Sequence, residues 1–218
     1  MKGKQVLLFD LDGTLSDSSE GITKGVQIAL RHFGIEEPDR EPLKRFIGPS
    51  LKAAFQGFYH FDDEQTKEAI VEYRKYYNTK GIFENHLYDG MKELLQELHE
   101  QGYILITASS KPECYVKIIT EYFGVQQYFD TLAGSELDGR RTDKQEVIRY
   151  ALEKGGITDL STVLMMGDRH FDVTGAHQAG VQVVGVSYGF GSRQELEQAG
   201  ADYVVDTVAQ LRQLLLAK

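Results

Sequence analysis

The chain has 218 residues, of which 41% are hydrophobic, and a net charge of -9. It is long enough for one large domain or two small ones. The acidic balance disfavours a general nucleic-acid binder, and no apolar stretch approaches the length needed to cross a bilayer. Cys114 is the only cysteine, which excludes an internal disulfide framework and a cysteine-built zinc site. Residues 1–4 lead directly into a predicted strand without a secretory segment, so we expect a cytoplasmic protein.

The first predicted strand carries two aspartates into a glycine turn. It covers residues 6–9 and is followed by Asp10, Asp12 and Gly13. Side chains at positions i and i+2 of a strand point to the same side, so the two carboxylates converge where the chain leaves the sheet. Carboxylates held that close repel each other unless a cation lies with them, and hard oxygen ligands favour Mg²⁺. A structural protein can also end a strand in an Asp-Gly turn, so this motif alone leaves both interpretations open.

Residues 16–88 show only helical patterns, with apolar side chains spaced three or four positions apart. The predicted helices cover residues 19–33, 40–46, 51–58 and 63–79. An all-helical block after the first strand predicts a smaller domain over residues 16–88, inserted into an α/β domain formed by residues 1–15 and 89–218. Its position favours a lid that excludes water from reacting groups, and the alternative is a subdomain that only adds stability.

One bend in the helical block is a candidate for substrate specificity. Gly48, Pro49 and Ser50 separate two predicted helices, and glycine and proline fix such a bend. Lys52 follows them and would either pair with a substrate carboxylate or phosphate or lie exposed on its helix.

After residue 89, predicted helices and strands alternate. A helix over Met91–Glu100, capped by Asp89, is followed by these predicted elements: strand 103–108, helix 112–124, strand 131–133, helix 143–154, strand 163–166, a helix ending at Gly180, strands Gln182–Val186 and Tyr203–Val205, and a helix from residue 207. Such alternation predicts a parallel sheet with helices on both faces. Sites in these folds lie at the carboxyl ends of the strands, where Asp10, Asp12, Ser109 and Asp168 fall.

The segment over residues 104–112 is predicted to end a strand and open a helix. The Ser109 hydroxyl and the amides after it, including that of Ser110, would then face an anion, because free amides at a helix start attract phosphate. The alternative is that both serines only cap the helix.

A second basic candidate lies at the start of the helix over residues 143–154. Lys144 is disfavoured there by the helix dipole and so gains from an anionic partner. Arg140 and Arg141 compete for the same role or are solvated loop charges.

The strand over residues 163–166 again ends in Gly-Asp. Asp168 is a candidate for a magnesium shell, and Asp172, one helical turn later, is expected to orient that shell from outside it. His170 has no second histidine at ligand spacing, so we expect a loop residue and not a metal ligand.

These four segments, in this order, closely resemble the motifs of the haloacid dehalogenase-like superfamily of aspartate-nucleophile phosphotransferases. The first motif matches Asp10-Leu11-Asp12-Gly13-Thr14, the second the strand ending at Ser109, the third Lys144, and the fourth Gly167-Asp168 with Asp172. The first motif and the helical insert with Gly48-Pro49-Ser50 look most like the phosphoglycolate phosphatase-type branch. Ser109 and Ser110 stand before Lys-Pro where that branch often has threonine and asparagine, and Gln145 follows Lys144 where it commonly has proline.

The resemblance implies a mechanism. Asp10 would attack the phosphorus of a phosphomonoester to form an aspartyl-phosphate, and Asp12 would protonate the leaving oxygen and later activate water. The Asp10 carboxylate, the Asp12 backbone carbonyl and Asp168 would hold Mg²⁺. The transferring phosphoryl group would be bound by Ser109, Ser110, Lys144 and Gly13.

The resemblance also implies a small phosphorylated metabolite as partner, with neither nucleic acid nor membrane. Phosphoglycolate, a nucleoside monophosphate and a sugar phosphate all remain open, as does the oligomeric state. A phosphomutase such as beta-phosphoglucomutase is the enzymatic alternative, because it shares all four motifs. A silent binding protein on the same fold would be expected to have lost Asp10 or Asp12, and both are present.

Overall fold

The computed structural model describes residues 3–217. The chain divides into two compact units, one formed by residues 1–17 and 87–218 and the other by residues 18–86. Within the described residues, no helix has both the length and the apolar character to cross a membrane.

The larger unit is built on a five-stranded parallel sheet. Its elements, with two short strands at the points where the chain passes between units, are β1 (Val6–Phe9), β2 (Ser16–Asp17), β3 (His86–Leu87), α4 (Met91–Glu100), β4 (Ile104–Thr107), β5 (Ser109–Pro112), α5 (Glu113–Tyr122), β6 (Gly134–Ser135), α6 (Lys144–Lys154), β7 (Val163–Gly167), α7 (His170–Gln178), β8 (Gln182–Val186), α8 (Arg193–Gln198), β9 (Tyr203–Val205) and α9 (Val208–Leu216). The strand order is β4-β1-β7-β8-β9. The parallel sheet predicted from the alternation is confirmed.

Strand β1 lies in the middle of the part of the sheet that carries the candidate site. Phe9, its last residue, is in register with Thr107 of β4 and with Met166 of β7. All four residues of β1 are buried, as expected for a parallel strand covered on both faces. Because these three strands end level with one another, the residues that follow them meet at one edge of the sheet.

The core on one face of the sheet joins alternate strand residues to α6 and α7. Leu8 and Met165 pack in one buried cluster with Val147, Ala151 and Ala176 of these two helices. Burying the larger of these side chains, those of Leu8, Met165 and Val147, stabilises the unit by roughly 1.5–3 kcal/mol each relative to leaving them exposed. This packing fixes where α6 and α7 begin, and so where their first residues lie.

The smaller unit is helical. It contains α1 (Ser19–His32), α2 (Leu51–Tyr59) and α3 (Asp63–Tyr77), with short 3-10 helices over Glu41–Phe46 and Gly81–Phe83. The Asp62 side chain accepts hydrogen bonds from the Glu64 and Gln65 amides and so caps α3. The segment over residues 40–46, which was predicted as a helix, forms the 3-10 helix Glu41–Phe46.

Four local predictions in the larger unit are wrong. Helix α4 is preceded by Gly90, at φ 80° and without a side-chain cap, and Asp89 does not cap it. The strand expected over residues 131–133 is a single bridge from Thr131 to Ile106, and the paired strand is β6, next to β5. Ser109 and Ser110 lie in β5, a strand that was not predicted, and neither serine caps α5, which begins at Glu113, one residue after its predicted start. The region expected to be purely helical also begins and ends with the short strands β2 and β3.

Candidate active site

Three aspartates gather at the carboxyl edge of the sheet. Carboxylate oxygens of Asp10, Asp168 and Asp172 lie within 4.8 Å of one another, and all three residues are buried. Asp10 directly follows β1 and Asp168 directly follows β7, two neighbouring strands. Asp172 lies in the first turn of α7, where the helix dipole favours a negative charge. The sheet edge and one helix start therefore build a compact acidic cluster.

Lys144 is the basic partner of this cluster. Its Nζ lies 2.8 Å from Asp10 Oδ1 and 2.7 Å from Asp172 Oδ1, and it donates to the Ala108 carbonyl oxygen at 3.2 Å. Lys144 is the first residue of α6, which is capped by Asp143. The anionic partner expected for a lysine at a helix start is thus supplied from within the protein.

The charges in the cluster shift the ionisation of its members. Burial raises the pKa of Asp10, with a further contribution from Asp172, although Lys144 opposes it. Burial, together with the charges of Asp172 and Asp10, holds the pKa of Asp168 well above its usual range. Burial alone would lower the pKa of Lys144, but the charges of Asp10 and Asp172 outweigh it and raise that pKa. The cluster therefore stabilises a positive charge and resists an excess of negative charge.

The donor set fits a divalent metal ion. When all groups are ionised, three carboxylates face one ammonium group, which leaves two negative charges without compensation. Asp168 Oδ2 accepts a hydrogen bond from the Phe190 amide at 2.7 Å, whereas its buried Oδ1 has no hydrogen-bond partner among residues 3–217. Buried carboxylate oxygens of this kind are the ligands that Mg²⁺ prefers.

Each carboxylate oxygen of Asp172 contacts another group of the protein. Oδ1 is paired with Lys144, and Oδ2 accepts from the Arg169 amide at 3.0 Å. Asp172 is therefore held in place within the cluster, and its carboxylate belongs to the same group of potential metal ligands as Asp10 and Asp168.

Main chain packs closely around Asp168. Gly13 has φ +83°, and a Cβ there would lie 2.1 Å from Asp168 Oδ2. A Cβ at Gly191 would lie 1.9 Å from the Asp168 carbonyl oxygen, and one at Gly189 would lie 2.2 Å from the Gly13 carbonyl oxygen. Real Cβ atoms do not approach other atoms so closely, so this wall of the site requires residues without side chains.

Asp12 pairs with Lys111, a residue for which no role in the site was predicted. Lys111 Nζ lies 2.9 Å from Asp12 Oδ2, and the two side chains are only 7% and 12% exposed. Lys111 stands two positions after Ser109, whose hydroxyl hydrogen-bonds the Asp10 carboxylate. The period of two along β5 is the signal that would have found Lys111, once residues 109–112 are taken as a strand and not as the start of a helix.

The contacts given for Ser110, Arg140 and Arg141 do not include the acidic cluster of Asp10, Asp168 and Asp172. The Ser110 carbonyl oxygen accepts from the Ser135 hydroxyl at 2.7 Å. Arg140 pairs with exposed Asp138, while Arg141 donates to the Gly134 carbonyl oxygen and lies 3.5 Å above the ring of Tyr150. These contacts favour a structural role for both arginines.

The four candidate specificity residues lie in the helical unit, in and just after the bend that precedes α2. Gly48 has φ +106°, and Ser50 caps α2 by accepting from the Ala53 amide at 3.2 Å. Lys52 is exposed, and its Nζ lies 3.2 Å from Asp63 Oδ1. Pro49 lies in the bend before α2, so this segment forms a turn that ends in a helix cap.

Tyr188, two residues after the end of β8, contacts residues close to the acidic cluster. The Tyr188 hydroxyl donates to the Thr14 carbonyl oxygen at 3.0 Å, and its ring packs edge-on against Tyr88 at 4.9 Å. Burial raises the pKa of Tyr88, and the charges of Asp17, Asp168 and Asp12 add to this effect. These tyrosines thus lie beside the acidic cluster as neutral groups.

Glu195 ties the start of α7 to α8. Its Oε1 accepts from Arg169 Nε at 2.9 Å and from the His170 amide at 2.9 Å, and lies 2.8 Å from His170 Nδ1. His170 is the first residue of α7 and lies outside the group of potential metal ligands found in the described chain. These bonds orient the turn that presents Asp168.

The chain is similar over most of its length to proteins of known family. The family model described as "Haloacid dehalogenase-like hydrolase" matches residues 7–186. A 5'-nucleotidase of Pseudomonas aeruginosa is 44% identical over 96% of this chain and 94% of the relative. A phosphoglycolate phosphatase of Aliivibrio fischeri is 27% identical over 97% and 96%. The crystal structure of a protein described as a predicted phosphatase from Clostridium acetobutylicum is 46% identical, covers 99% of both chains and has a TM-score of 0.95. The chain belongs to the haloacid dehalogenase-like hydrolase family.

Proposed function

We propose that this protein is a magnesium-dependent phosphatase that hydrolyses a small phosphomonoester through an aspartyl-phosphate formed on Asp10. Its family and the phosphatase names of its relatives make it a phosphoric monoester hydrolase. The observation that carries the proposal is the position of Asp10. It is a buried carboxylate at the end of a central strand, bonded to Lys144 and close to two further carboxylates.

The residues divide the reaction between them. Asp10 attacks phosphorus, and Asp12 gives a proton to the leaving oxygen and then takes one from the attacking water. Lys144 and Ser109 contact Asp10 and are placed to stabilise oxygens of the transferring group. Asp10, Asp168 and the Asp12 backbone carbonyl would hold Mg²⁺, which when bound offsets the repulsion between the carboxylate and the anionic ester.

The need for a cation follows from electrostatics. Two like charges about 4 Å apart repel by about 4 kcal/mol at an effective dielectric constant of about 20. Because the cluster already holds more carboxylates than ammonium groups, a phosphate dianion would not enter it without further positive charge.

We infer that the substrate is a small phosphorylated metabolite, and the similarity to a 5'-nucleotidase makes nucleoside monophosphates the first class to test. Phosphoglycolate is the second substrate to test, because the chain is also similar to a phosphoglycolate phosphatase. The helical unit, including the Gly48–Lys52 bend, is the proposed source of specificity.

The test is phosphate release from nucleoside 5'-monophosphates, phosphoglycolate and sugar phosphates, with and without Mg²⁺. Asp10→Asn should abolish release, whereas Glu197→Gln, which alters an exposed carboxylate paired with Arg193 on α8, should not. Release that persists at the wild-type rate in Asp10→Asn would exclude the covalent route. Product isomerisation in place of phosphate release would identify a phosphomutase.

A further inference from the structure

We infer that Lys111 is a positioning residue for Asp12, the proposed general acid and base. This inference rests on the proposed function and adds to it a residue for which no role was predicted. Its basis is the contact of 2.9 Å between Lys111 Nζ and Asp12 Oδ2 in a buried environment.

Two matched pairs of side chains face each other. Asp10 and Asp12 are two residues apart after β1, and Ser109 and Lys111 are two residues apart in β5. The Ser109 hydroxyl hydrogen-bonds Asp10, and the Lys111 ammonium group pairs with Asp12. Because alternate side chains of an extended segment lie on one side, one short strand supports both reacting carboxylates.

The pairing leaves the two oxygens of Asp12 in different environments. Oδ2 is held by Lys111, while Oδ1 is buried and has no hydrogen-bond partner among the residues described. A buried polar atom without a partner is costly, so its position favours an incoming group that is present only during the reaction. Lys111 thus fixes the carboxylate through one oxygen and keeps the other available.

Burial argues against a purely stabilising role for this ion pair. Removing two charges from water costs several kcal/mol, so a buried pair is weak evidence for stability. The pair between Lys117 and Glu113 has the same distance of 2.9 Å, and because the Lys117 side chain is 55% exposed, this pair carries less of the cost and serves as the control.

As the Asp10 oxygen bonds to phosphorus, the bond from phosphorus to the ester oxygen breaks, and the proton on Asp12 Oδ1 passes to that oxygen. Water then attacks phosphorus and gives a proton to Asp12, while the bond from phosphorus to Asp10 breaks and inorganic phosphate leaves. Without Lys111, Asp12 loses the contact that orients it in both steps.

The test compares leaving groups. The parameter kcat/KM covers the steps up to departure of the leaving group, and p-nitrophenolate departs without a proton, whereas a nucleoside alkoxide needs one. Lys111→Met should lower kcat/KM for a nucleoside monophosphate by about ten- to a hundredfold, a part of the full general-acid effect, and change it less than about threefold for p-nitrophenyl phosphate. Lys111→Arg should restore part of the loss, and Lys117→Met should match the wild type.

A double variant separates positioning from general damage. In Asp12→Asn, the further change Lys111→Met should have no additional effect on nucleoside monophosphate hydrolysis, because the group it positions is absent. If Lys111→Met fails to fold, Lys111→Gln carries the same comparison with a shorter donor.

An equal loss on both substrates would overturn the inference and indicate that Lys111 binds the phosphoryl group instead. An unchanged Lys111→Met would overturn it as well. Either result, with Asp10→Asn inactive, leaves the proposed function standing. Activity in Asp10→Asn contradicts the proposed function itself.

Discussion

Replacing Lys144 by methionine tests how the acidic cluster is held together. Methionine retains much of the length of the side chain but removes the ammonium group that contacts Asp10 at 2.8 Å and Asp172 at 2.7 Å. Each contact corresponds to about 6 kcal/mol of attraction at an effective dielectric constant of about 20, and most of this is offset by the cost of burying the charges. Breaking a buried pair on one side typically costs about 3–5 kcal/mol. We expect the free energy of unfolding to fall by that amount.

The assay is urea denaturation followed by far-UV circular dichroism, with a metal chelator present. Lys117→Met removes an exposed lysine from a pair whose Glu113 keeps Lys154 as a partner, so it should change the unfolding free energy by less than about 1 kcal/mol. Adding Asp172→Asn to Lys144→Met should recover part of the loss, because one negative charge without a partner is removed. A Lys144→Met protein as stable as the Lys117→Met control would refute the electrostatic account of the cluster.

Three further changes probe the site and its surroundings. Asp168→Asn should raise the Mg²⁺ concentration needed for half-maximal phosphate release by about tenfold or more without loss of helical signal, and an unchanged titration would remove this residue from the metal shell. Gly191→Ala should lower stability by about 1–3 kcal/mol and reduce activity, because its Cβ would lie 1.9 Å from the Asp168 carbonyl oxygen; a neutral result would contradict the close approach. Burial alone would raise the pKa of Asp202, but hydrogen bonds from the Val183 amide and from His177 hold that pKa below its usual range. The resulting stability is present above about pH 4 and is lost as pH falls through the folded pKa, so Asp202→Asn should be less stable at neutral pH and lose less on acidification, as thermal unfolding across pH would show.

The sequence allowed the sheet and the long helices to be predicted because their signals are local. Helix α4 was predicted with the observed bounds from its apolar stripe, and β8 and β9 from short runs rich in valine. The acidic cluster could be proposed because strands of a parallel sheet end at a common edge, a property of the topology that needs no knowledge of side-chain contacts.

The segment from Ser109 to Pro112 could not be predicted in the same way. Serine, lysine and proline have little preference for strands, so the segment was assigned to a helix start. Its extended conformation comes from pairing with Gly134 and Ser135, which lie far along the chain and likewise carry no strand signal. The partner of Asp12 was missed for this reason, since Lys111 contacts it only from an extended segment.

The glycine wall around Asp168 has a consequence for how the enzyme could acquire new substrates. Gly13 and Gly189 lie against the carboxylate of Asp168 and Gly191 against its carbonyl oxygen, and peptide groups offer the same dipoles whatever amino acids evolve elsewhere. A substitution at any of these three glycines would therefore place a side chain against Asp168 or Gly13 and disturb the site. Adaptation to a new metabolite has to proceed through side chains at other positions, while the phosphoryl-transfer chemistry is carried forward unaltered.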